Sequence, residues 1–183
     1  TDVNDIDIDL DNAANAITGT INITTQTGGS NGADVTIDNG TTAIVLGTVT
    51  ARGNLSVRGG NGITDSGVIT VAGTSLFHSD VTAKAITLDS ANAMTGAVSI
   101  THTGAANVAI DNGTTALNLG TVSVGQNFQA TSGGGITDTG VITVAGDATF
   151  VTDVNDIDIN LNSSNAITGA LTFTTQTGGS NGA

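Results

Sequence analysis

The feature that most constrains this chain of 183 residues is an internal repeat. The heptapeptide IDNGTTA begins at Ile37 and again at Ile110. The segment GITDSGVITVAG begins at Gly62 and returns, with one Ser-to-Thr change, as GITDTGVITVAG at Gly135. The two intervals are equal, and we call this spacing the short repeat. Because several motifs recur in the same order at one spacing, the chain is a tandem array, in which equivalent segments fold alike.

A second, longer spacing, which we call the long repeat, separates two further pairs of copies near the two ends of the sequence. TDVNDIDIDL at 1–10 recurs as TDVNDIDINL at 152–161, and TTQTGGSNGA at 24–33 recurs at 174–183. We therefore expect residues 1–183 to be a single segment taken from a longer array with periods of about 73 and about 150 residues.

The apolar residues predict short strands. They occur as alternating pairs such as Ile21/Ile23 and Val35/Ile37, and the period of two is that of a strand with one buried and one exposed face. Gly- and Asn-rich turn signals such as those at 38–40 and 59–62 separate the pairs. Glu, a good helix former, is absent, and the sequence predicts an all-β fold.

Tandem duplication favours a parallel β-helix, or β-solenoid, over a sandwich or a barrel. In a solenoid each coil stacks on the previous one and needs no partner of a different kind. We expect about three short strands per coil, roughly eight coils, three coils per short repeat with like stacked on like, and right-handed winding. Candidate coils begin near Thr20, Thr42, Val68, Ala97, Thr115, Val141 and Ala170.

Composition excludes several classes of function. The net charge is −13, all sixteen acidic residues are Asp, and only Arg52, Arg58 and Lys84 are basic. Such a surface has no positive footprint for nucleic acid, and no window of about 20 apolar residues predicts membrane insertion. With no Cys, disulfides and cysteine-bound metals are excluded.

The motifs GITDSGVITVAG, ITLDSANAMTGAVSI and IDNGTTALNLGTVSVGQNF resemble the repeats of large exported bacterial proteins. These are the filamentous haemagglutinin-type adhesins of two-partner secretion and related β-strand-repeat surface proteins. The resemblance implies a right-handed β-helical shaft, an extracellular location at the bacterial cell surface, and roles in adhesion or filament formation. We expect two kinds of partner, which are further copies of the repeat, end to end or within a longer chain, and the surfaces of host or neighbouring cells.

An acidic strand face is the one candidate for a metal. The weak calcium candidates are Asp5, Asp7, Asp9 and Asp11 in the first copy and Asp156 and Asp158 in the second. Calcium binds several oxygen ligands, and Asp from a neighbouring coil could complete such a site. The alternative is that these carboxylates only form the solvated face of a strand. No other cofactor is predicted.

The remaining residues predict no catalytic site. His78 and His102 occupy non-equivalent positions of the repeat, and no nucleophile recurs beside them. Arg52 and Arg58 are expected on one strand, facing Asp of adjacent coils. The four Phe residues are expected to fill the core near its corners. The sequence thus predicts a structural shaft and not an enzyme, with a surface-binding module for glycans or ice as the alternative and a polysaccharide-active enzyme as the weakest candidate.

Overall fold

The computed structural model describes residues 6–25, 32–80, 83–102 and 104–176. These residues form twenty β-strands without a helix, and every strand pair is parallel, which confirms the predicted all-β solenoid. Among them no helix has the length and hydrophobicity to cross a membrane. In chain order the strands are β1 (Ile8–Leu10), β2 (Ile21–Thr24), β3 (Val35–Asp38), β4 (Ile44–Ala51), β5 (Leu55–Gly59), β6 (Ile63–Asp65), β7 (Ile69–Val71), β8 (Ser75–Ser79), β9 (Ile86–Leu88), β10 (Ala93–Met94), β11 (Val98–His102), β12 (Val108–Asp111), β13 (Leu117–Val124), β14 (Phe128–Ser132), β15 (Ile136–Asp138), β16 (Ile142–Val144), β17 (Ala148–Asn155), β18 (Ile159–Asn160), β19 (Ala166–Ile167) and β20 (Leu171–Gln176).

Each coil contributes strands to three faces, as the sequence predicts. We call them face 1, face 2 and face 3, in the order in which the chain visits them. Face 1 is the stack β1, β3, β5, β8, β11, the second half of β13, β16 and β19. Face 2 is the first half of β4, then β6, β9, β12, β14, β17 and β20. Face 3 is β2, the second half of β4, β7 and β10, followed by the first half of β13, β15 and β18.

Two long strands turn a corner and join the faces. The strands β4 and β13 each begin on one face and end on the next, so hydrogen bonding connects the three faces into two ten-stranded sheets. The register shifts at each of these corners, where Gly47 and Gly120 lie. The eight strands of face 1 are separated by seven turns, close to the predicted eight coils, and at ~4.8 Å per turn the stack is about 34 Å high.

The sequence repeats are not in step with the turns. On face 1, Val98 lies three coils beyond Val35. The copy of Val35, one short repeat further along the chain, is Val108, which comes after Val98 and lies on face 2. One short repeat therefore spans three turns and one additional face. The expectation of three whole coils with like stacked on like is corrected, because the repeat is longer than three coils by the length of one face.

The core is a set of apolar, mainly aliphatic, rows that run along the axis. Alternating side chains of the strands point inward, and stacked coils place them in register. The rows are buried along most of the stack. On face 1 one such row consists of Ile37, Val57, Phe77, Ile100, Val122 and Ile142.

Buried polar groups link neighbouring coils at the corners. Asp138 Oδ1 accepts the backbone N–H of Asn162 at 2.8 Å, and its Oδ2 accepts the side-chain amide of Asn165 at 2.6 Å. The oxygen of that amide accepts the N–H of Ile142 at 2.8 Å. The equivalent groups in the preceding repeat, Asp65 and Asn92, make the same contacts. We call this group of hydrogen bonds around Asp138 and Asn165 the clamp, and both short repeats contain it.

A buried Asn replaces strand pairing where face 3 is interrupted between β10 and β13. Asn112 Oδ1 accepts the N–H of Met94 at 2.9 Å, and its Nδ2 donates to the carbonyl of Met94 at 3.1 Å. The side chain therefore satisfies the peptide groups that a strand would otherwise satisfy. Asn39 does the same for Ile17.

Asp and Asn also form ladders on the outside of the corners. Asp7 Oδ1 accepts the N–H of Asp34 at 2.8 Å, Asp34 Oδ1 accepts the N–H of Asn54 at 2.6 Å, and Asn54 Oδ1 accepts the N–H of Thr74 at 2.9 Å. Each of these side-chain oxygens thus accepts a backbone N–H of the next coil. Because a carboxylate oxygen and an amide oxygen can both accept this bond, Asp and Asn interchange at these positions.

Glycines permit close contact between backbones at one corner. Gly73 donates its N–H to the carbonyl of Gly53 at 2.9 Å, and a Cβ on Gly73 would lie 2.6 Å from that carbonyl oxygen. Gly96 approaches the carbonyl of Gly73 in the same way. A side chain at these positions would push successive coils apart.

We expect Gly73→Ala to destabilise the fold by about 1–3 kcal/mol through overpacking. The measurement is the urea midpoint of the circular dichroism signal. Gly19→Ala is the matched control, because a Cβ there meets no atom within 4 Å. Equal midpoints for the two variants would contradict the proposed backbone contact.

We expect Asp138→Asn to lower stability by about 1–3 kcal/mol, because an amide group cannot accept from both the backbone N–H groups and Asn165. Asp9→Asn makes the same charge change at an exposed position and should leave the urea midpoint nearly unchanged. A second readout is hydrogen exchange at 162–163, which should accelerate only in the Asp138 variant. A similar loss in both variants would assign the effect to charge alone.

Candidate functional site

The first acidic stretch lies on the first coil of the stack. Asp5 falls outside the described residues. Asp9 and Asp11 are exposed, and Asp7 uses one carboxylate oxygen to accept the N–H of Asp34. The residue beside Asp9 on the next coil is Thr36 and not another Asp.

The second acidic stretch lies on the last coil, at the opposite end of the stack. Asp156 is exposed and has a left-handed backbone with φ of 59°, and Asp158 is also exposed. Asn160 lies beside Thr137 of the preceding coil. Within the described ranges no three His or Asp side chains converge as metal ligands would. Calcium binding therefore stays a prediction.

Arg58 is the centre of a small charged cluster on face 1. It lies on β5, and its Nε and a terminal nitrogen donate to the two oxygens of Asp80 at 2.7 and 3.1 Å. His78, the neighbour of Arg58 on β8, lies 2.6 Å from Asp80. The contact with Asp of an adjacent coil is as predicted, whereas Arg52 lies in the turn before β5 and is not on the strand.

The hydrogen bond from Arg58 lowers the pKa of Asp80 and raises the pKa of the guanidinium. A lowered carboxyl pKa stabilises the fold above the usual Asp value, and this stabilisation is lost as the pH falls through the lowered value. Since Arg58 is more than half exposed, the effect is screened and small. The cluster joins two coils locally.

The histidines point in opposite directions. His78 faces outward, whereas His102 is buried and its Nε2 lies 2.6 Å from the carbonyl oxygen of Lys84. Ser79 pairs with His102 on the adjacent strand, and the Ser79 hydroxyl and His102 Nδ1 are both buried, with no hydrogen-bond partner among the described residues. The sequence does not predict this pair, because it is not repeated. The next repeat has Thr152 in place of Ser79 and Thr175 in place of His102. The prediction that the chain is not an enzyme stays untested.

Three of the four Phe residues fill the core, as predicted. Phe77, Phe128 and Phe150 are buried. The rings of Phe128 and Phe150 meet edge to face at 5.8 Å, and Phe150 and Phe173 stack at 5.6 Å. Phe173 continues this row into the last coil, where 51% of it is exposed because no further coil of the described chain covers it.

The two ends of the described stack expose apolar side chains. In the described residues β20 pairs on one side only, with β17, and β1 pairs on one side only, with β3. Leu171 and Phe173 are about half exposed at one end and Ile6 at the other. A recess of about 210 Å³ lies at the first of these ends, between Ile159 and Phe173.

A shallow trough lies on the lateral surface, on face 2. It has a volume of about 510 Å³, and its lining includes Asn107, Ala109, Asn127 and Gln129. Amide side chains and a small residue give a polar, accessible surface. These residues are not recognisable as a group in the sequence, since they become neighbours only when coils stack.

A family model matches this chain twice, at residues 32–101 and at 105–174. The two matches begin one short repeat apart, which is the interval that moves each strand to the next face. No curated protein and no solved structure gave a match. Since the two matches cover most of the sequence, the chain belongs to the family described as repeats of unknown function (DUF5649).

Proposed function

We propose that this chain is a shaft segment of a secreted bacterial surface fibre or adhesin, in which further coils extend an extracellular filament. The observation that carries the proposal is a single apolar core that runs without interruption through the stacked coils of the described chain. A stack of this kind is quasi-one-dimensional, because each coil contacts only its neighbours. Its length can therefore grow without any change in cross-section.

The surface chemistry supports the same proposal. The charge of −13 is carried largely outside the core, where it keeps an elongated stack soluble and opposes side-by-side association. The resemblance to filamentous haemagglutinin-type adhesins supplies the extracellular setting and the export by two-partner secretion. The partners in this proposal are further copies of the repeat and the surfaces of other cells.

Glycan binding is the second candidate function, and the trough on face 2 is the observation that favours it. Asn127 and Gln129 present amide groups, which can donate to and accept from sugar hydroxyls. In the described ranges the trough contains no exposed aromatic ring on which a sugar could stack. The shaft proposal therefore ranks first.

The shaft proposal predicts how length scales with sequence. Residues 32–104 are duplicated in tandem inside the full chain, which preserves the natural junction between repeats. We expect the particle to lengthen by about 16 Å, which is three and one-third turns at ~4.8 Å each, with an unchanged cross-section. Small-angle scattering and electron microscopy measure both dimensions. A second globule, or a thicker particle of the same length, would refute the shaft.

The trough proposal predicts a selective loss. If the chain binds glycans on face 2, Gln129→Ala should abolish signals on a glycan array, whereas Thr36→Ala on face 1 should not. Circular dichroism checks that both variants remain folded. An array without any signal for the unmodified chain eliminates this second candidate.

A further inference from the structure

Asn followed by Gly is a chemically unstable pair, and the described residues contain it at 39–40, 61–62 and 112–113. The backbone nitrogen of the Gly can attack the side-chain amide carbon of the Asn, because Gly has no side chain to obstruct the approach. Two further pairs, at 31–32 and 181–182, begin with an Asn outside the described residues. The three described pairs have the same chemistry, but the fold holds them differently.

Two of these pairs are locked in the core. The side chains of Asn39 and Asn112 are fully buried. Asn39 accepts from and donates to the peptide groups of Ile17, and Asn112 does the same for those of Met94. In both pairs the N–H of the following Gly donates at 2.8 Å to the carboxylate of the preceding Asp. The amide and the attacking nitrogen are therefore both held by hydrogen bonds.

Asn61 has neither restraint. It is exposed, in the turn between β5 and β6. Among the described residues its side chain has no hydrogen-bond partner, and the N–H of Gly62 has no acceptor. The side-chain amide can therefore rotate towards the Gly62 nitrogen without breaking a hydrogen bond.

We propose that Asn61 is a site of spontaneous deamidation in the folded chain. The Gly62 nitrogen gives its proton to hydroxide or water and bonds to the side-chain carbon of Asn61. The amide nitrogen takes up a proton and leaves as ammonia, and a five-membered cyclic imide remains. This modification goes beyond the shaft function and does not depend on it.

Water then opens the imide in one of two ways. Addition at the former side-chain carbon restores the ordinary backbone and leaves an aspartate. Addition at the backbone carbonyl carbon leaves the chain running through the former side chain, as an isoaspartate. Either product has consumed one water, released one ammonia and gained one negative charge, and no group is oxidised or reduced.

The second repeat lacks this site. The turn at 60–62 recurs at 133–135, where Gly134 replaces Asn61. Gly62 and its copy Gly135 have nearly the same φ, 94° and 91°. The turn thus adopts the same backbone conformation without the Asn, and Asn61→Gly is a conservative control variant.

The two products should affect the fold differently. The pairing of β6 with β9 places Asn61 beside Lys84, so an aspartate there would form an exposed ion pair that contributes little to stability. An isoaspartate adds one methylene to the backbone immediately before Gly62. The carbonyl of Gly62 accepts the N–H of Ile44 at 3.0 Å. The added length would displace this carbonyl and weaken the pairing of β4 with β6.

The test follows each Asn separately in the full chain. Folded protein is kept at mildly alkaline pH, a parallel sample is kept in urea, and peptide mapping by mass spectrometry measures aspartate and isoaspartate at each site. In the folded chain Asn61 should react about tenfold or more faster than Asn39 and Asn112, because the core must open locally before those two can react. In urea the three rates should become similar.

Asn61→Gly should abolish the modification at this turn and leave the circular dichroism spectrum and the urea midpoint nearly unchanged. Hydrogen exchange at Ile44 should accelerate in the aged wild-type chain and not in the variant aged in the same way. Two results would overturn the inference. One is an Asn61 that stays intact in the folded chain while it reacts in urea, and the other is a folded chain in which Asn39 or Asn112 reacts as fast as Asn61. Unchanged exchange at Ile44 in modified protein would refute the displacement of β6.

Discussion

The hydrogen bonding of parallel strands in register is the constraint on which the rest of this structure depends. Each residue on a face must meet a residue of the next coil, so the chain has to return to the same face at nearly regular intervals. Along face 1 it returns from Val35 to Leu55, then to Ser75 and then to Val98, in steps of similar length. The first step, from Ile8 to Val35, is longer.

Parallel stacking also explains why the polar residues are nearly all Asp, Asn, Thr and Ser. At a corner the backbone N–H groups of one coil need acceptors on its neighbour, and a short side chain that carries an oxygen reaches them. Asp34, Asn54 and Asp138 all do this. Glu and Gln are one methylene longer. The acidic composition that suggested calcium therefore has a structural role at several positions, and Asp7 is one of them.

The strands, the turns and the solenoid were predictable because period-two alternation and tandem duplication are local properties of the sequence. The displacement of each short repeat by one face was not predictable. The turn residues at all corners are similar, so the sequence does not show which corner completes a coil. Ala97 and Val141, proposed as coil starts, precede strands of face 1, whereas Ala170 precedes a strand of face 2. The clamp at Asp138 recurs at the short repeat, but its contacts depend on the register. Sites made of residues on successive coils, such as the trough on face 2, cannot be predicted until the coil length is known.

The mismatch between repeat and coil has a consequence for any longer array of this kind. Identical side chains in consecutive repeats lie a third of a revolution apart and about 16 Å apart along the axis. They return to the same side only after three repeats, or about 48 Å. Such an array follows a threefold screw symmetry, so its three flanks are equivalent. A neighbour approaching any of the three flanks would meet the same groups at the same intervals, and bending would be resisted equally about all lateral axes.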